Sequence, residues 1–121
     1  MKNSPKICGI IIWTENLKEM TDFYEKILGL SVKTKKPNYV NFEWGDFKLT
    51  IGEHSQVKGK SKDKSRIMIN FDVLNINQTI SDLSKKGINI IRKPEREEWG
   101  GLISTIEDPD KNIIQFLQKS S

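Results

Sequence analysis

The chain opens on a short apolar run whose residue types predict a β-strand. Residues 6–13, Lys-Ile-Cys-Gly-Ile-Ile-Ile-Trp, lie between Pro5 and the polar segment 14–16. β-Branched residues bounded by turn-forming and polar residues are typical of a strand. The longest apolar stretch, residues 10–13, is far too short to cross a bilayer, so we expect no membrane segment.

A helical pattern follows this strand. Apolar residues recur three and four positions apart at Met20, Phe23, Tyr24, Ile27 and Leu28. This spacing places them on one face of an amphipathic helix. Asn16 is the expected N-cap, and Glu19 three residues later would complete a capping box. Gly29 can adopt the left-handed conformation that ends a helix.

A short strand near residues 30–35 and then a β-hairpin are predicted next. Residues 39–44 and 47–52 are joined by Gly45-Asp46, a two-residue loop with glycine first that favours a type II′ turn. This turn sets the register of the hairpin, which pairs Trp44 with Phe47, Glu43 with Lys48, Phe42 with Leu49 and Asn41 with Thr50. One face of the hairpin is then apolar and faces the core, while the other is polar.

The second half of the chain repeats the pattern of the first. Between the halves, residues 53–65 show no apolar periodicity and include four lysines, which predicts a solvated linker. Beyond it we predict a strand at 66–73, a helix that begins after Asn75 or Asn77 and ends at Gly87, and strands at 88–91, 102–106 and 113–118. The halves correspond at an offset near 59 residues, and such a repeat indicates duplicated units. We therefore expect one domain over residues 1–121, with module one at 6–52, the linker at 53–65 and module two at 66–118.

Composition narrows the class of protein more than it narrows the function. Twenty Lys and Arg against sixteen Asp and Glu give a net charge of +4, and much of this excess lies in residues 58–66. A single cysteine excludes an intramolecular disulfide framework, and with a single histidine it argues against Cys/His zinc sites. No signal-peptide pattern precedes the first strand, so the expected location is cytoplasmic.

Three segments of the sequence resemble the vicinal-oxygen-chelate superfamily, which includes glyoxalase I, extradiol dioxygenases, and fosfomycin and bleomycin resistance proteins. They are residues 9–30, ending in Phe-Tyr-Glu-Lys-Ile-Leu-Gly-Leu; residues 68–87, beginning Met-Ile-Asn-Phe-Asp-Val; and residues 99–118, with Asp-Pro-Asp-Lys-Asn at 108–112. Lys111 stands where the family usually has glycine, so we expect strain in that turn. The resemblance implies an α+β fold in which two tandem βαβββ modules form a curved, cup-like mixed sheet with helices on the convex side.

The resemblance also implies where a metal ion would be held. The family binds a divalent cation through His, Glu or Gln side chains from the first and last strands of each half. The matching positions in this sequence are Gly9, Met68, Gln115 and either Lys48 or Thr50. Glycine has no side chain, and a methionine thioether suits hard cations poorly. We therefore expect no metal and no other cofactor, and we assign no catalytic residue.

Strand alternation then predicts which side chains line the cup. The residues assigned to ligand binding are Ile11, Trp13, Asn41, Glu43, Lys48, Thr50, Met68, Asn70, Trp99 and Gln115, with Ile113 on the same face. Apolar walls with a few polar anchors, here including a Glu43–Lys48 pair, are typical of small-molecule pockets. A solvated sheet face that has lost an ancestral activity would show the same mixture, so both interpretations stay open.

Four other residues have both a functional and a structural interpretation, and a fifth, Trp44, has only a structural one. Trp13 and Trp99 could stack on a flat ligand or simply pack at a strand end and a sheet edge, whereas Trp44 lies on the core face of its hairpin. His54 is expected to be a solvated loop residue rather than an acid or base. Cys8 is expected to point toward a helix as a small buried residue rather than to act as a nucleophile.

These observations leave more than one function open. The first is a metal-independent binding protein that sequesters an antibiotic or metabolite in the cup, and the alternative is a lyase, isomerase or dioxygenase-like enzyme of the same superfamily. The cations of residues 58–66 raise nucleic-acid binding as a third. Because interleaved aromatic residues are missing there, we expect a small-molecule ligand and no nucleic-acid or membrane partner. Open sheet edges favour a homodimer.

Overall fold

A computed structural model describes residues 4–120. The chain divides into two compact units, one up to Gly59 and one from Lys60 onward, so the boundary lies within the segment expected to be a linker. Each unit contains one helical region and four strands in the order βαβββ. The predicted α+β class and the two repeated modules are therefore confirmed.

The elements of each unit have the following bounds. The first unit contains β1 (Gly9–Thr14), α1 (Leu17–Asp22) continued by a π-helical turn (Phe23–Ile27), β2 (Val32–Lys36), β3 (Tyr39–Trp44) and β4 (Phe47–Glu53). The second unit contains β5 (Ile69–Asp72), α2 (Ile76–Lys85), β6 (Ile90–Arg96), β7 (Leu102–Glu107) and β8 (Ile113–Gln118). The apolar runs at residues 6–13 and 66–73 thus supply shorter strands than their composition predicts.

The first unit has a mixed four-stranded sheet in the order β1-β4-β3-β2. Strand β1 runs parallel to β4, and the other two pairings are antiparallel. The β3–β4 hairpin has the predicted register at all four residue pairs, from Trp44 with Phe47 to Asn41 with Thr50. Gly45 has a φ of +52°, which the first position of a type II′ turn requires.

The helical region of the first unit covers the apolar face of this sheet. Met20, Phe23 and Tyr24 are buried, and the rings of Tyr24 and Phe42 lie 6.4 Å apart. The predicted helix face is therefore the one that packs. Trp44 departs from the prediction because 42% of its surface is exposed. It lies at the end of the hairpin and contacts Phe47 rather than entering the core.

The first helix begins without the predicted capping box. The side chain of Asn16 makes no capping hydrogen bond. The buried hydroxyl of Thr14 instead accepts a hydrogen bond from the Asn16 backbone N–H at 2.9 Å, so Glu19 is not needed there. Strand β1 itself thus supplies the acceptor that orders the entry into α1.

The second unit has the same strand arrangement, β5-β8-β7-β6, with β5 parallel to β8. Asn75, one of the two predicted caps, accepts a hydrogen bond from the Gln78 N–H at 3.1 Å. Three residues of α2 are buried, namely Ile76, Ile80 and Leu83. Ile113, assigned to the open face of the sheet, is buried at 6% exposure. It lies at the start of β8 and pairs with Glu107 of β7.

The cations of the basic segment before β5 are exposed to solvent, as expected of a linker, and several of them bind nearby acceptors. The ammonium of Lys60 donates to the carbonyl of Pro109 at 2.7 Å, and Lys64 pairs with Glu107. Arg66 pairs with Asp63 at 2.8 Å. Three of its cations are therefore engaged with acceptors of the second unit itself.

The turn between β7 and β8 shows the strain that its sequence predicts. The carboxylate of Asp108 accepts hydrogen bonds from the backbone N–H groups of Asp110 and Asn112, each at 2.9 Å. These bonds hold Lys111 at a φ of +67°, and it is the one non-glycine residue between positions 4 and 120 with a positive φ. In the same range, no helix combines the length and the apolar character needed to span a membrane.

Candidate functional site

The open face of the first sheet arranges its side chains in three rows that cross β1, β4 and β3. The register of the strands places Trp13, Gly52 and Tyr39 in one row, Ile11, Thr50 and Asn41 in the next, and Gly9, Lys48 and Glu43 in the third. These residues, apart from Gly52, line a cavity of about 790 Å³. We use the name cup for this cavity of the first unit alone, and we call its rows the aromatic, amide and charged rows. The structure therefore brings together six of the predicted site residues: Ile11, Trp13, Asn41, Glu43, Lys48 and Thr50.

In the aromatic row, the indole of Trp13 lies directly over a glycine. A Cβ at Gly52 would lie 2.8 Å from Cζ3 of Trp13, so a larger residue there would displace the ring. Tyr39 stands on the other side of Gly52. Trp13 remains 43% exposed, which leaves its surface accessible from the cavity.

His54 is not the simple solvated loop residue expected from the sequence. Its ring contacts the edge of Trp13, with the ring centroids 5.2 Å apart and the planes at 70°. Its Nδ1 accepts a hydrogen bond from the Gln56 N–H at 3.1 Å, so Nε2 carries the proton of the neutral ring. His54 thus supports Trp13 at the rim of the cup.

The amide row is held by an internal hydrogen bond. The hydroxyl of Thr50 donates to Oδ1 of Asn41 at 2.6 Å, and Asn41 is only 8% exposed. Both side chains are therefore fixed before any ligand arrives. Ile11 completes this row as an apolar residue that is 55% exposed.

The charged row places a carboxylate and an ammonium opposite each other. Glu43 and Lys48 are register partners across the hairpin. No hydrogen bond or ion pair within residues 4–120 involves either side chain, so the predicted Glu43–Lys48 pair does not form. Glu43 is partly buried and Lys48 is exposed.

Gly9 stands where β1 comes closest to β4. A Cβ at Gly9 would lie 2.6 Å from the backbone carbonyl oxygen of Lys48, a distance that real Cβ atoms essentially never show. Because the obstacle is backbone, a side chain cannot enter without moving one of the two strands. This is the position at which the superfamily supplies a metal-binding histidine.

Cys8 contradicts the prediction of a buried thiol. It is exposed and lines the cup beside Gly9. It precedes β1, where the chain is held to β4 by a hydrogen bond from Lys48 N–H to the Cys8 carbonyl at 2.9 Å. Strand alternation does not extend to a residue outside the strand, so it gave no sound guide to the burial of Cys8.

The side chains at the family's metal positions do not fit a hard divalent cation. Gly9 offers no donor and Met68 a thioether. The amide of Gln115 is engaged, since its Nε2 donates to Oδ1 of Asn70 at 2.9 Å. In the parallel strand pair of the second unit, Asn70–Gln115 occupies the place that Ile11–Thr50 has in the first, and Thr50 is bonded to Asn41. Over residues 4–120, no three His, Cys, Asp or Glu side chains are grouped so that they could hold a metal ion.

The remaining predicted site residues belong to the second unit. Met68 is 39% exposed just before β5, and Asn70 and Gln115 are bonded to each other on neighbouring strands. Trp99 lies over Gly101, where a Cβ would approach its Cζ3 to 1.8 Å. Its loop is held by Arg92, which contacts Glu97 at 3.5 Å. Trp99 is 57% exposed.

A second depression in the first unit, of about 970 Å³, lies between α1 and strand β2. Some of its charges are paired with one another. The carboxylate of Asp22 pairs with Lys18 at 2.9 Å and with Lys26 at 3.3 Å. The hydrogen bond from Lys18 lowers the pKa of Asp22 and raises the pKa of Lys18. The cup combines unpaired charges with an exposed indole and a fixed amide row, and we take it as the better candidate site.

Comparison with known proteins agrees with this fold. A family model described as a glyoxalase-like domain matches residues 7–119. The chain belongs to the glyoxalase-like family. Its place in the vicinal-oxygen-chelate superfamily, expected from the sequence motifs, is thereby confirmed.

Individual members of this and related groups show how far the likeness extends. The uncharacterized protein YraH of Bacillus subtilis is 26% identical over 93% of this chain and 98% of its own length. The structure of a putative glyoxalase family protein from Bacillus anthracis matches with a TM-score of 0.79 at 22% identity, covering 99% of this chain and 100% of that one. A glyoxalase/bleomycin resistance protein/dioxygenase family enzyme from Burkholderia phytofirmans matches with a TM-score of 0.74 at 16% identity, covering 92% of this chain and 96% of that one. At these identities the structures show the shared fold.

Proposed function

We propose that this glyoxalase-like protein binds a small organic molecule in the cup without a metal ion. The observation that carries the proposal is the composition of the cup. An exposed indole and Ile11 provide apolar surface, Asn41 and Thr50 are held in place, and two opposite charges are unpaired. Apolar walls with a few fixed polar groups are characteristic of small-molecule sites.

The volume of the cup suits such a ligand. Pockets for drug-sized molecules are typically about 300–1,000 Å³, and the open cup offers about 790 Å³. The donors support binding without a metal, because Gly9 has no side chain and Thr50 already bonds Asn41. A ligand must therefore be held by hydrogen bonds, charge and stacking.

The first experiment isolates the fluorescence of Trp13. The chain has three tryptophans, so a W44F/W99F variant reports only on Trp13 and the cup. We expect a subset of aromatic compounds and glycopeptide antibiotics to quench or shift this emission with saturation. The matched W13F/W44F variant retains only Trp99 and should not respond to the same compounds. A response confined to Trp99, or no response from either variant, contradicts binding in the cup.

The single cysteine gives an independent measure. Because Cys8 lines the cup and no other cysteine is present, the reaction of the protein with a thiol reagent reports on this one position. A ligand that fills the cup should slow that reaction at concentrations that also quench Trp13. An unchanged rate at saturation would place the ligand elsewhere.

Metal content separates this proposal from the enzymatic alternative within the superfamily. Equilibrium dialysis against nickel, zinc, manganese and iron should leave the protein with less than one equivalent of each. If the natural protein and the His54→Ala variant both take up one equivalent of a metal, the metal is held at a site that the residues of the cup do not predict. This result would favour the lyase, isomerase or dioxygenase alternative.

A further inference from the structure

The charged row of the cup contains two charged side chains, and the described part of the protein supplies no partner for either. Glu43 and Lys48 are opposite each other, and the side chain of neither makes a hydrogen bond or ion pair with any residue from 4 to 120. The neighbouring carboxylate of Asp46 differs, since it lies 3.8 Å from the ammonium of Lys6. The row therefore offers one anionic and one cationic group side by side.

The separation of these groups suits a molecule that carries both charges close together. Residues directly opposite each other in an antiparallel pair have Cβ atoms about 4.5–5.5 Å apart. An α-amino acid carries its ammonium and carboxylate on one carbon, so it can present the carboxylate to Lys48 and the ammonium to Glu43. Each contact is a charge-assisted hydrogen bond, which is stronger than one between neutral groups.

The two side chains lose little by turning to a ligand. An exposed ion pair across a hairpin contributes little to stability, and here no such pair is formed. A ligand with a single charge would satisfy one side chain and lie beside the other with the same sign, which is unfavourable. The row therefore discriminates by charge pattern rather than by net charge.

The far end of the cup suits a flat group. The aromatic row is four residues along β4 from the charged row, roughly 13 Å at about 3.3 Å per residue. Trp13 is fixed there between Gly52 and His54. Between them, the amide row presents Ile11 and the side chains of Asn41 and Thr50, which are hydrogen-bonded to each other. This row can therefore contact the apolar part of a ligand.

We propose that the cup recognises a zwitterionic ligand with an aromatic body, in which Lys48 binds the carboxylate, Glu43 binds the ammonium and Trp13 stacks on the ring. This names the ligand class of the site proposed above and rests on that function. The residues that set specificity are Glu43 and Lys48.

Three compounds that differ only at the charged end test the inference. They are 3-(2-naphthyl)alanine, which is zwitterionic, 3-(2-naphthyl)propanoate, which lacks the ammonium, and 2-(2-naphthyl)ethylamine, which lacks the carboxylate. Affinity is measured by calorimetry and by protection of Cys8 from a thiol reagent. We expect the zwitterion to bind about tenfold more tightly than either analogue, because each lost charged hydrogen bond is worth at least that factor.

Variants then assign the two charges. Lys48→Gln should weaken binding of the zwitterion about tenfold while leaving the affinity for the amine unchanged or higher, and Glu43→Gln should have the converse effect. The E43K/K48E double variant exchanges the charges and should retain a preference for the zwitterion. Lys33→Gln on β2, which does not line the cup, is the matched control and should bind all three compounds as the natural protein does.

The outcomes separate the inference from the proposed function. Equal affinity for all three compounds, or preference for a singly charged one, overturns the inference and leaves binding in the cup intact. Unchanged selectivity in both single variants also overturns it. If none of the three protects Cys8 or quenches Trp13, while other compounds of the wider panel do so, only the ligand class is wrong; if no compound does so, both proposals fail.

Discussion

Two glycines determine the form of the cup at the level of single residues. Gly52 gives the indole of Trp13 a flat surface, and Gly9 allows β1 to lie close against the carbonyl of Lys48. Neither glycine has a positive φ, so both are required by the close approach of a neighbour rather than by a turn. The close approach of β1 to β4 leaves no room at Gly9 for a side chain, and this is the position at which the superfamily supplies a metal ligand.

Replacing Gly9 by alanine tests this close approach. We expect Gly9→Ala to lower the free energy of unfolding by about 1–3 kcal/mol, because the added methyl must displace backbone rather than a flexible side chain. Urea unfolding followed by circular dichroism measures it. Lys33→Ala, at an exposed strand position, is the control and should change stability by less than about 0.5 kcal/mol. Equal stability of the two variants would show that the strands separate freely at Gly9.

At this scale the sequence located much of the cup. Alternation along three strands assigned Ile11, Trp13, Asn41, Glu43, Lys48 and Thr50 to one face, and the structure places all six around one cavity. Tyr39 could have been found by the same alternation, since it precedes Asn41 by two positions. Cys8 and His54 could not, because they lie outside β1 and β4, where no period of two applies.

Among the helical elements, the two N-termini show how a local motif gives way to its surroundings. Asn75 caps α2 as its sequence predicts, by accepting from the Gln78 N–H. Asn16 occupies the equivalent place before α1, but its backbone N–H is bound by Thr14 and its side chain makes no cap. The two asparagines therefore differ in what they contribute, although the repeat relates them.

Paired substitutions at these caps should differ in effect. Asn75→Ala should lower the free energy of unfolding by about 0.5–2 kcal/mol, since it removes an N-cap hydrogen bond. Asn16→Ala should cost markedly less, because no capping bond is lost. Thermal unfolding of both variants under one set of conditions makes the comparison. Equal losses at the two positions would mean that Asn16 caps α1 in solution.

The α1 region also carries a pH-dependent interaction. The hydrogen bond from Lys18 lowers the pKa of Asp22 below its ordinary value. A carboxyl with a depressed pKa in the folded state adds stability above its unfolded pKa, and that stability is lost as the pH falls through the folded pKa. The effect should be small because both side chains are solvent-accessible.

Asp22→Asn tests the direction of this effect. The variant should melt at a slightly lower temperature than the natural protein at neutral pH, and the difference should vanish once the pH lies below the depressed pKa of Asp22. Added salt at neutral pH should shrink the difference in the same way. Glu19→Gln on the same helix, for which no ion pair is found between residues 4 and 120, serves as the control. A difference that persists in acid would point to another cause.

The strands show where periodicity fails as a guide. The sequence predicted a strand at residues 88–91, whereas β6 extends over Ile90–Arg96. Its pairing with β7 is interrupted between Ile90 and Arg92 and again between Arg92 and Glu95. Such irregularities break the alternation of side chains, and Pro94 further disguises the strand. An edge strand with these features can be assigned only from its neighbours.

At the level of the whole molecule, each unit has one protected and one unprotected outer strand. Strands β2 and β6 carry Lys33, Lys35 and Lys36, and Arg92, Lys93 and Pro94, respectively. Charged residues and proline at an edge discourage pairing with another sheet. Strand β1 has no charged residue and β5 has only Asp72. They are preceded by Ile7 and Ile67, which are 82% and 75% exposed.

We propose that the protein forms a homodimer through the unprotected side of its units. Sedimentation velocity should give a dimer for the natural protein at micromolar concentration. Ile7→Lys should shift the equilibrium toward the monomer, because it places a charge next to an apolar edge. Ile91→Lys on β6, where the edge is already charged, is the matched control and should leave the dimer intact. A natural protein that sediments only as a monomer contradicts the proposal.

Residue patterns alone predict the duplicated βαβββ order, the hairpin register and the face on which Glu43 and Lys48 lie. These follow from residue periodicity and from turn chemistry at Gly45, both of which act over a few neighbouring residues. Three further features are visible only in the folded chain: Gly9 has no room for a side chain, Glu43 and Lys48 remain unpaired, and His54 supports Trp13. Those facts depend on how closely distant strands and loops approach one another, and packing between segments far apart in the chain has no local signal in the sequence.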